Sequence, residues 1–277
     1  MLDRRRFLTA SLAAPLLGAA PALRAQSTPP GVEALLDAAV SGAHRSSANR
    51  ARDIYRNPKE TLLFFGLKPE MTAVELWPDA GWFTEVIAPV LRERGRFIAA
   101  HYPLEHRSTT RGWRALREGF ETKLKAHPGV YDRVVMAEMA TPDQLVFAPP
   151  SSVDMVFSFR SLHVWAYQET DDIVLKAIHA ALKPGGILGI EDHRAVEGTS
   201  KDRQVRSGYM TESYAIAACE KAGFRLAGRS EVNANPRDTK DYPEGVWALP
   251  PSLSAKDREK HLAIGESDRM TLRFVKA

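Results

Sequence analysis

The chain is 277 residues long, 44% hydrophobic and 26% charged, with a formal net charge of +4, which suits one substantial core in a single domain with additions. The positive charge is local: Arg4, Arg5, Arg6 and Arg24 stand against Asp3 near the start, and the rest of the chain is close to neutral. A near-neutral chain lacks the basic footprint of nucleic-acid binding, and its one cysteine, Cys219, excludes an internal disulfide. On the apolar face of a helix, Cys219 reads as a small core residue.

At the N-terminus, Asp3-Arg4-Arg5-Arg6-Phe7-Leu8 precedes a modest apolar run to Ala22, with small residues at Ala20-Pro21-Ala22 and Ala25-Gln26. Twin arginines, a short apolar stretch and small-residue cleavage options predict a leader over 1–25, read by a Tat-type export machinery and directing the chain to the periplasm. Neither this run nor any later one reaches the roughly 20 residues of a membrane span, so no stable membrane anchor is expected after cleavage. Residues 26–30 are polar and Pro-rich, a linker. The remainder, 31–277, is expected to form one domain.

Within it, 31–66 reads as a helical cap. Val32 to Val40 and Arg45 to Tyr55 are two short helices, and Asn57-Pro58-Lys59-Glu60 opens a third that Gly66 closes. Arg45, Arg50, Arg52 and Arg56 read as a solvated helical face. Then comes T-A-V-E-L-W-P-D-A-G-W-F-T-E, Thr72 to Glu85: a buried strand to Trp77, a turn at Pro78, Asp79 and Gly81, and a helix opening at Trp82. Phe83, Val86, Ile87, Val90 and Leu91 give that helix its apolar stripe. Free N–H groups at such a helix start make a ready nucleotide site.

Further strands are expected at Arg96 to His101, Tyr131 to Ala137, Val153 to Phe159 and Ile187 to Glu191, with helices at Arg111 to Lys125 and Glu169 to Leu182. Tyr214 to Ala222 is a helix closed by Gly223, and Phe224 to Val232 and Met270 to Lys276 are the last two strands. Strands alternating with amphipathic helices predict an α/β fold around a mostly parallel sheet. Asn233 to Arg269 is a long insertion between strands usually joined tightly, a lid or a decorated loop anchored by Trp247.

This order resembles the class I S-adenosylmethionine-dependent methyltransferases over about 70–275. The resemblance is carried by the acid-ended first strand with its turn (Glu75 through Gly81), Leu182-Lys183-Pro184-Gly185-Gly186-Ile187 before the fifth strand, Ala222-Gly223-Phe224, and the final strand pair. More narrowly, the twin-arginine leader, V-E-L-W-P-D-A-G-W-F-T-E, F-R-S-L-H-V-W and E-D-H-R-A look like a group of exported, predicted methyltransferases. The resemblance implies a Rossmann-like seven-stranded sheet with helices on both faces, the last strand antiparallel, and the ligand at the C-terminal edge of strands one, two and four. It implies S-adenosylmethionine as cofactor, near Glu75, Asp79, Gly81 and Glu138. The family turn reads acid-x-Gly-x-Gly-x-Gly; here Trp77 and Asp79 replace the first two glycines, and only Gly81 survives. No acid stands at the end of strand two, which reads Ala100-His101-Tyr102-Pro103.

Strand four runs into Phe159-Arg160-Ser161-Leu162-His163-Val164-Trp165, and strand five ends in Glu191-Asp192-His193-Arg194. In this fold the two strands are neighbours, so His163, Asp192 and His193 could share a crevice with Glu75. A histidine oriented by a carboxylate suits acid/base catalysis; two imidazoles and a carboxylate could instead hold a divalent metal, although no short-range ligand spacing supports one; or both histidines simply tie down strand ends. Arg160 and Arg194 are candidates for an acidic substrate, and Trp165 for a planar one. Three functions stay open: methyl transfer to a small molecule, binding of a small ligand in a periplasmic protein without the cofactor, and a histidine-based acid/base or metal-assisted enzyme.

Overall fold

The computed structural model describes residues 31–277; the expected leader at 1–25 and linker at 26–30 lie outside the described residues. The strands are β1 (Thr72–Leu76), β2 (Arg96–His101), β3 (Val135–Glu138), β4 (Val153–Phe159), β5 (Leu182–His193), β6 (Phe224–Ser230) and β7 (Arg269–Lys276). They form one seven-stranded sheet in the order β3-β2-β1-β4-β5-β7-β6, with β7 antiparallel to both neighbours. The order reverses between β1 and β4, which places the ligand-binding crevice of such a sheet at their C-terminal ends. This is the Rossmann-like sheet the sequence predicts, with its last strand antiparallel.

Two apolar layers cover the sheet. One face packs on α1 (Val32–Val40), α4 (Pro58–Phe65), α5 (Thr84–Leu91) and α7 (Pro128–Tyr131), through Leu36, Leu62, Phe65, Val86 and Tyr131. The other packs on α8 (Leu162–Tyr167), α9 (Asp171–Ala181) and α11 (Glu212–Lys221), through Trp165, Val174, Ile178 and Cys219. Cys219 is wholly buried, and burial pushes its thiol up, so it is an inert core residue. Helix α6 (Arg111–Ala126) gives Trp113 to the second layer and Phe120 to the first. No described helix is long and apolar enough to cross a membrane.

The structure revises several boundaries. The helix expected from Arg45 to Tyr55 is two single turns, α2 (Ser47–Arg50) and α3 (Asp53–Arg56). Asn57 precedes Pro58 as expected but makes no side-chain cap; at φ 37° it donates instead to the Val232 carbonyl. The helix after β1 begins at Thr84 rather than Trp82, and Tyr131 belongs to α7, so β3 starts later than its apolar run suggests. The expected Glu169 to Leu182 helix is α9 alone. Inside the insertion stand a short 3₁₀ turn at Gly245–Ala248 and α12 (Arg258–Ile264), with α10 (Lys201–Ser207) after β5.

Candidate functional site

The loop after β1 keeps the backbone of a glycine-rich turn while losing two of its glycines. Trp77, Asp79 and Gly81 all have positive φ, at 46°, 52° and 74°. An L residue held there costs on the order of 1–2 kcal/mol, and such strain gathers at functional edges. The positive φ also breaks strand alternation, which would set Trp77 on the same side as Glu75. Glu75 points to α5, whereas Trp77 joins the opposite layer with Val74 and Leu76.

The Trp77 indole N–H donates to the Met139 carbonyl at 3.0 Å. Its ring lies 5.2 Å from Tyr102, 5.8 Å from Trp113 and 5.9 Å from Trp165, and Tyr102 and Trp113 stack at 4.8 Å. Tyr102 directly follows β2 and Met139 directly follows β3, so these rings close the ends of β1, β2 and β3. Glycines at 77 and 79 would leave this space open to an adenosyl group. With the indole in it, an adenosyl group fits only if the Trp77 ring moves aside.

The four positions implied for the cofactor all have protein roles here. Glu75 is 2% exposed and accepts from the Thr84 hydroxyl at 2.6 Å; burial pushes its carboxyl up to about 8, so it is neutral at pH 7. Asp79 accepts from the Tyr102 hydroxyl at 3.0 Å. Gly81 is needed for packing: a Cβ there would come within 2.8 Å of the Phe120 ring. Glu138 is exposed, 3.6 Å from Arg117. At the end of β2, where a ribose-binding acid would stand, is the fully buried His101. Its Nε2–H donates to the Asp79 carbonyl at 2.9 Å and its Nδ1 accepts from the Tyr102 N–H at 2.8 Å. Burial, the largest effect, pushes this imidazole down to about 4 and keeps it neutral.

Across the switch point, His163, Asp192 and His193 do come together. Asp192 is wholly buried at the end of β5, and His163 sits in the first turn of α8. Asp192 Oδ1 lies 2.9 Å from His163 Nδ1 and accepts the His193 N–H at 2.7 Å; Oδ2 accepts the His163 N–H at 3.2 Å. An ionised carboxylate only accepts, so Nδ1 of His163 carries the proton and Nε2 is the basic nitrogen. The His193 ring lies 5.1 Å away, its Nδ1 2.6 Å from the Ser267 hydroxyl. Withdrawal from water, then the charges of His163, Arg269, Arg160 and Arg56, holds His193 well below the usual histidine range.

The ligand atoms of His163, Asp192 and His193 lie within 4.8 Å of one another, the spread of a metal site. Charge and hydrogen bonding argue against one. Both Asp192 oxygens already accept N–H bonds, and three guanidiniums raise the potential at His193. The group is better arranged for moving a proton. His163 also lines a cavity of about 350 Å³ with Val164, Tyr167, Val205, Arg206 and Trp247, a size suited to a small molecule. Glu75 belongs to the other layer and takes no part.

The candidate substrate contacts divide. Trp165 is wholly buried and walls the core beneath Trp77, so it meets no substrate. Arg194 is committed to Glu212, Glu231 and Asp268, with contacts of 2.7–3.1 Å that raise its affinity for its proton further. Arg160, in the strained left-handed region at φ 57°, has no side-chain partner among the described residues, and its Nε is buried. Trp247 is 41% exposed and 6.5 Å from His163; its neighbours Val246 and Ala248 anchor the insertion instead.

A second correction concerns the N-terminal arginines. Arg45 and Arg56 are 2% and 1% exposed, flanking the Trp82 ring at 5.1 Å and 4.8 Å. Glu266 binds Arg52 at 2.6 Å, Arg56 at 2.8 Å and Arg269 at 2.9 Å, and Arg269 reaches Glu191 at 2.6 Å. Sequence reasoning missed this network. The arginine spacing looks like a surface stripe, and Glu266 lies more than 200 positions away from Arg52 and Arg56.

Neither a protein-family model nor a curated protein matches the sequence. Among solved structures, the chain is similar to a SAM-dependent methyltransferase from Aquifex aeolicus, with 16% identity, TM-score 0.53, and 82% of this chain and 93% of that one covered. It is also similar to the [4+2]-cyclase SpnF, with 16% identity, TM-score 0.54, and coverage of 88% and 92%. A third is CrArsM, an arsenic(III) S-adenosylmethionine methyltransferase from Chlamydomonas reinhardtii, with 14% identity, TM-score 0.52, and coverage of 90% and 74%. At these identities the likeness is one of fold. This chain has the fold of the class I S-adenosylmethionine-dependent methyltransferases.

Proposed function

We propose that the protein is an enzyme acting on a small molecule, with His163 as its acid/base group. The observation that carries this is the buried Asp192 carboxylate on His163 Nδ1, behind a ring that lines a largely apolar cavity. Asp192 fixes the tautomer, His163 Nε2 takes a proton from the bound molecule, and the buried carboxylate stabilises the imidazolium that results. His193, 5.1 Å away, is held neutral by burial and the neighbouring charges, which leaves His163 as the ring that takes the proton. The leader read over 1–25 supports a periplasmic setting.

Nitrogen-15 NMR of the histidine rings tests this. The neutral His163 ring is expected to carry its proton on Nδ1, and Asp192→Asn, which puts a donor where an acceptor stood, is expected to mix its tautomers. Binders from a panel of small aromatic and aliphatic compounds are expected to shift the His163 and Trp247 signals. Binders that gather elsewhere, with a His163 tautomer indifferent to Asp192→Asn, would sink the reading.

Methyl transfer from S-adenosylmethionine is the second reading. It is favoured by the fold and by the three positive-φ positions of the β1 loop, which keep a glycine-turn backbone. It requires the Trp77 ring to leave the space it fills, a movement that tryptophan fluorescence would report during cofactor titration.

A further inference from the structure

Where the N-terminal cap meets the sheet edge, four guanidinium nitrogens are buried with no hydrogen-bond partner: Arg52 Nη2, Arg56 Nη1 and Nη2, and Arg160 Nε. Arg56 uses only its Nε, on Glu266 at 2.8 Å. Arg269, by contrast, is satisfied by Glu191, Glu266 and the Tyr55 carbonyl. Three of these guanidiniums thus share the carboxylates of Glu191 and Glu266, Arg160 has neither, and Asp192 is occupied by His163 and His193. Each buried donor left unmade costs about 1–3 kcal/mol, and surplus buried charge costs more. An oxyanion removes both penalties, and the guanidinium fork matches carboxylate and phosphate geometry.

We propose that Arg56 and Arg160 hold the oxyanion of a small carboxylate or phosphate ligand beside His193. This makes an anionic small molecule the substrate class of the His163 centre, and to that extent it rests on the acid/base reading above. Arg56, Arg160 and Arg269 all lie close enough to His193 for their charges to act on its ring. Arg160, partly exposed and unpartnered, is the group an incoming anion meets first. The competing account is water bridging the free donors to the unpaired Glu191 Oε2.

Thermal melts and NMR titrations with sodium acetate and sodium phosphate, each against sodium chloride at equal ionic strength, separate the two accounts. Acetate or phosphate is expected to raise Tm beyond chloride and to shift the His193 ring signals; a response to acetate alone identifies a carboxylate ligand, and a response to phosphate a phosphate ester. Arg160→Gln is expected to weaken binding about tenfold or more, with the unliganded Tm unchanged or raised, because its side chain has no bond to lose and its charge adds to the buried surplus. Should that variant fold poorly, Arg160→Lys, which keeps the charge and loses the fork, is expected to bind several-fold more weakly than wild type. Equal responses to all three salts, or binding undiminished in the Arg160 variants, would overturn the proposal. His163→Ala is expected to keep anion binding; anion binding retained while Asp192→Asn leaves the tautomer unmoved would fault the acid/base reading and leave the anion site standing.

Discussion

Glu266→Gln is expected to destabilise the protein by about 3–5 kcal/mol or more, the cost of removing one partner from a buried charge network. Glu266 is 4% exposed and is the shared acceptor of Arg52, Arg56 and Arg269. Against burial, which would raise it, the charges of Arg56, Arg269 and Arg52 hold its carboxyl down to about 2, so the charge persists through the working range. Removing it leaves these guanidiniums with Glu191 as their remaining buried counter-charge. Urea melts read the effect directly, as a lower midpoint with unchanged slope. A loss under 1 kcal/mol would mean that water already satisfies these arginines and that the network is not as tightly closed as its distances indicate.

Glu75→Gln is expected to act in the opposite direction, and only at higher pH. In the folded chain Glu75 keeps its proton up to about pH 8, whereas the unfolded chain releases it above about 4.5. Its contribution is therefore fully present below about 4.5 and is lost as pH rises to about 8. The full interval corresponds to something on the order of 5 kcal/mol by linkage. Glutamine keeps an acceptor for Thr84 and has no proton to lose. The variant should match wild type near pH 4.5 and exceed it by several kcal/mol at pH 8.5, measured by paired chemical melts. Equal stability at pH 8.5 would show that Glu75 ionises as readily in the native state as in the unfolded chain, with Lys123 and Arg160 as the charges available to stabilise it.

Much of this fold is legible in the order of residues. Val153 to Phe159 and Ile187 to Glu191 are dense apolar runs that only a strand buried on both faces requires, and Gly223 marks where a helix gives way to a strand; Lys183-Pro184-Gly185-Gly186, expected to precede the fifth strand, lies inside β5, which starts at Leu182 directly after α9. Adjacency of β4 and β5 follows from the topology, which is why His163, Asp192 and His193 could be named together from the sequence. What one-dimensional pattern could not carry was φ. The left-handed turn at Trp77 sends its ring away from the side that alternation assigns, and that one dihedral decides whether the crevice at β1 is open. Long-range charge pairing was equally hidden: Arg56 reads as surface until Glu266 arrives from the other end of the chain. Arg194, which reads as a free substrate contact, is bound up for the same reason. Trp247 reads as an anchor because tryptophans usually bury, yet Val246 and Ala248 take that role and leave the indole facing the His163 cavity.

Titration calorimetry of residues 26–277 with S-adenosylmethionine and S-adenosylhomocysteine tests most directly whether the chemistry of this chain has moved from the β1 loop to His163. With Trp77, Tyr102 and Trp113 packed together over the ends of β1 to β3, no heat of binding is expected up to millimolar ligand. Micromolar binding by the wild-type chain, abolished in Glu75→Ala, would contradict the account and establish the β1 loop as a working cofactor site.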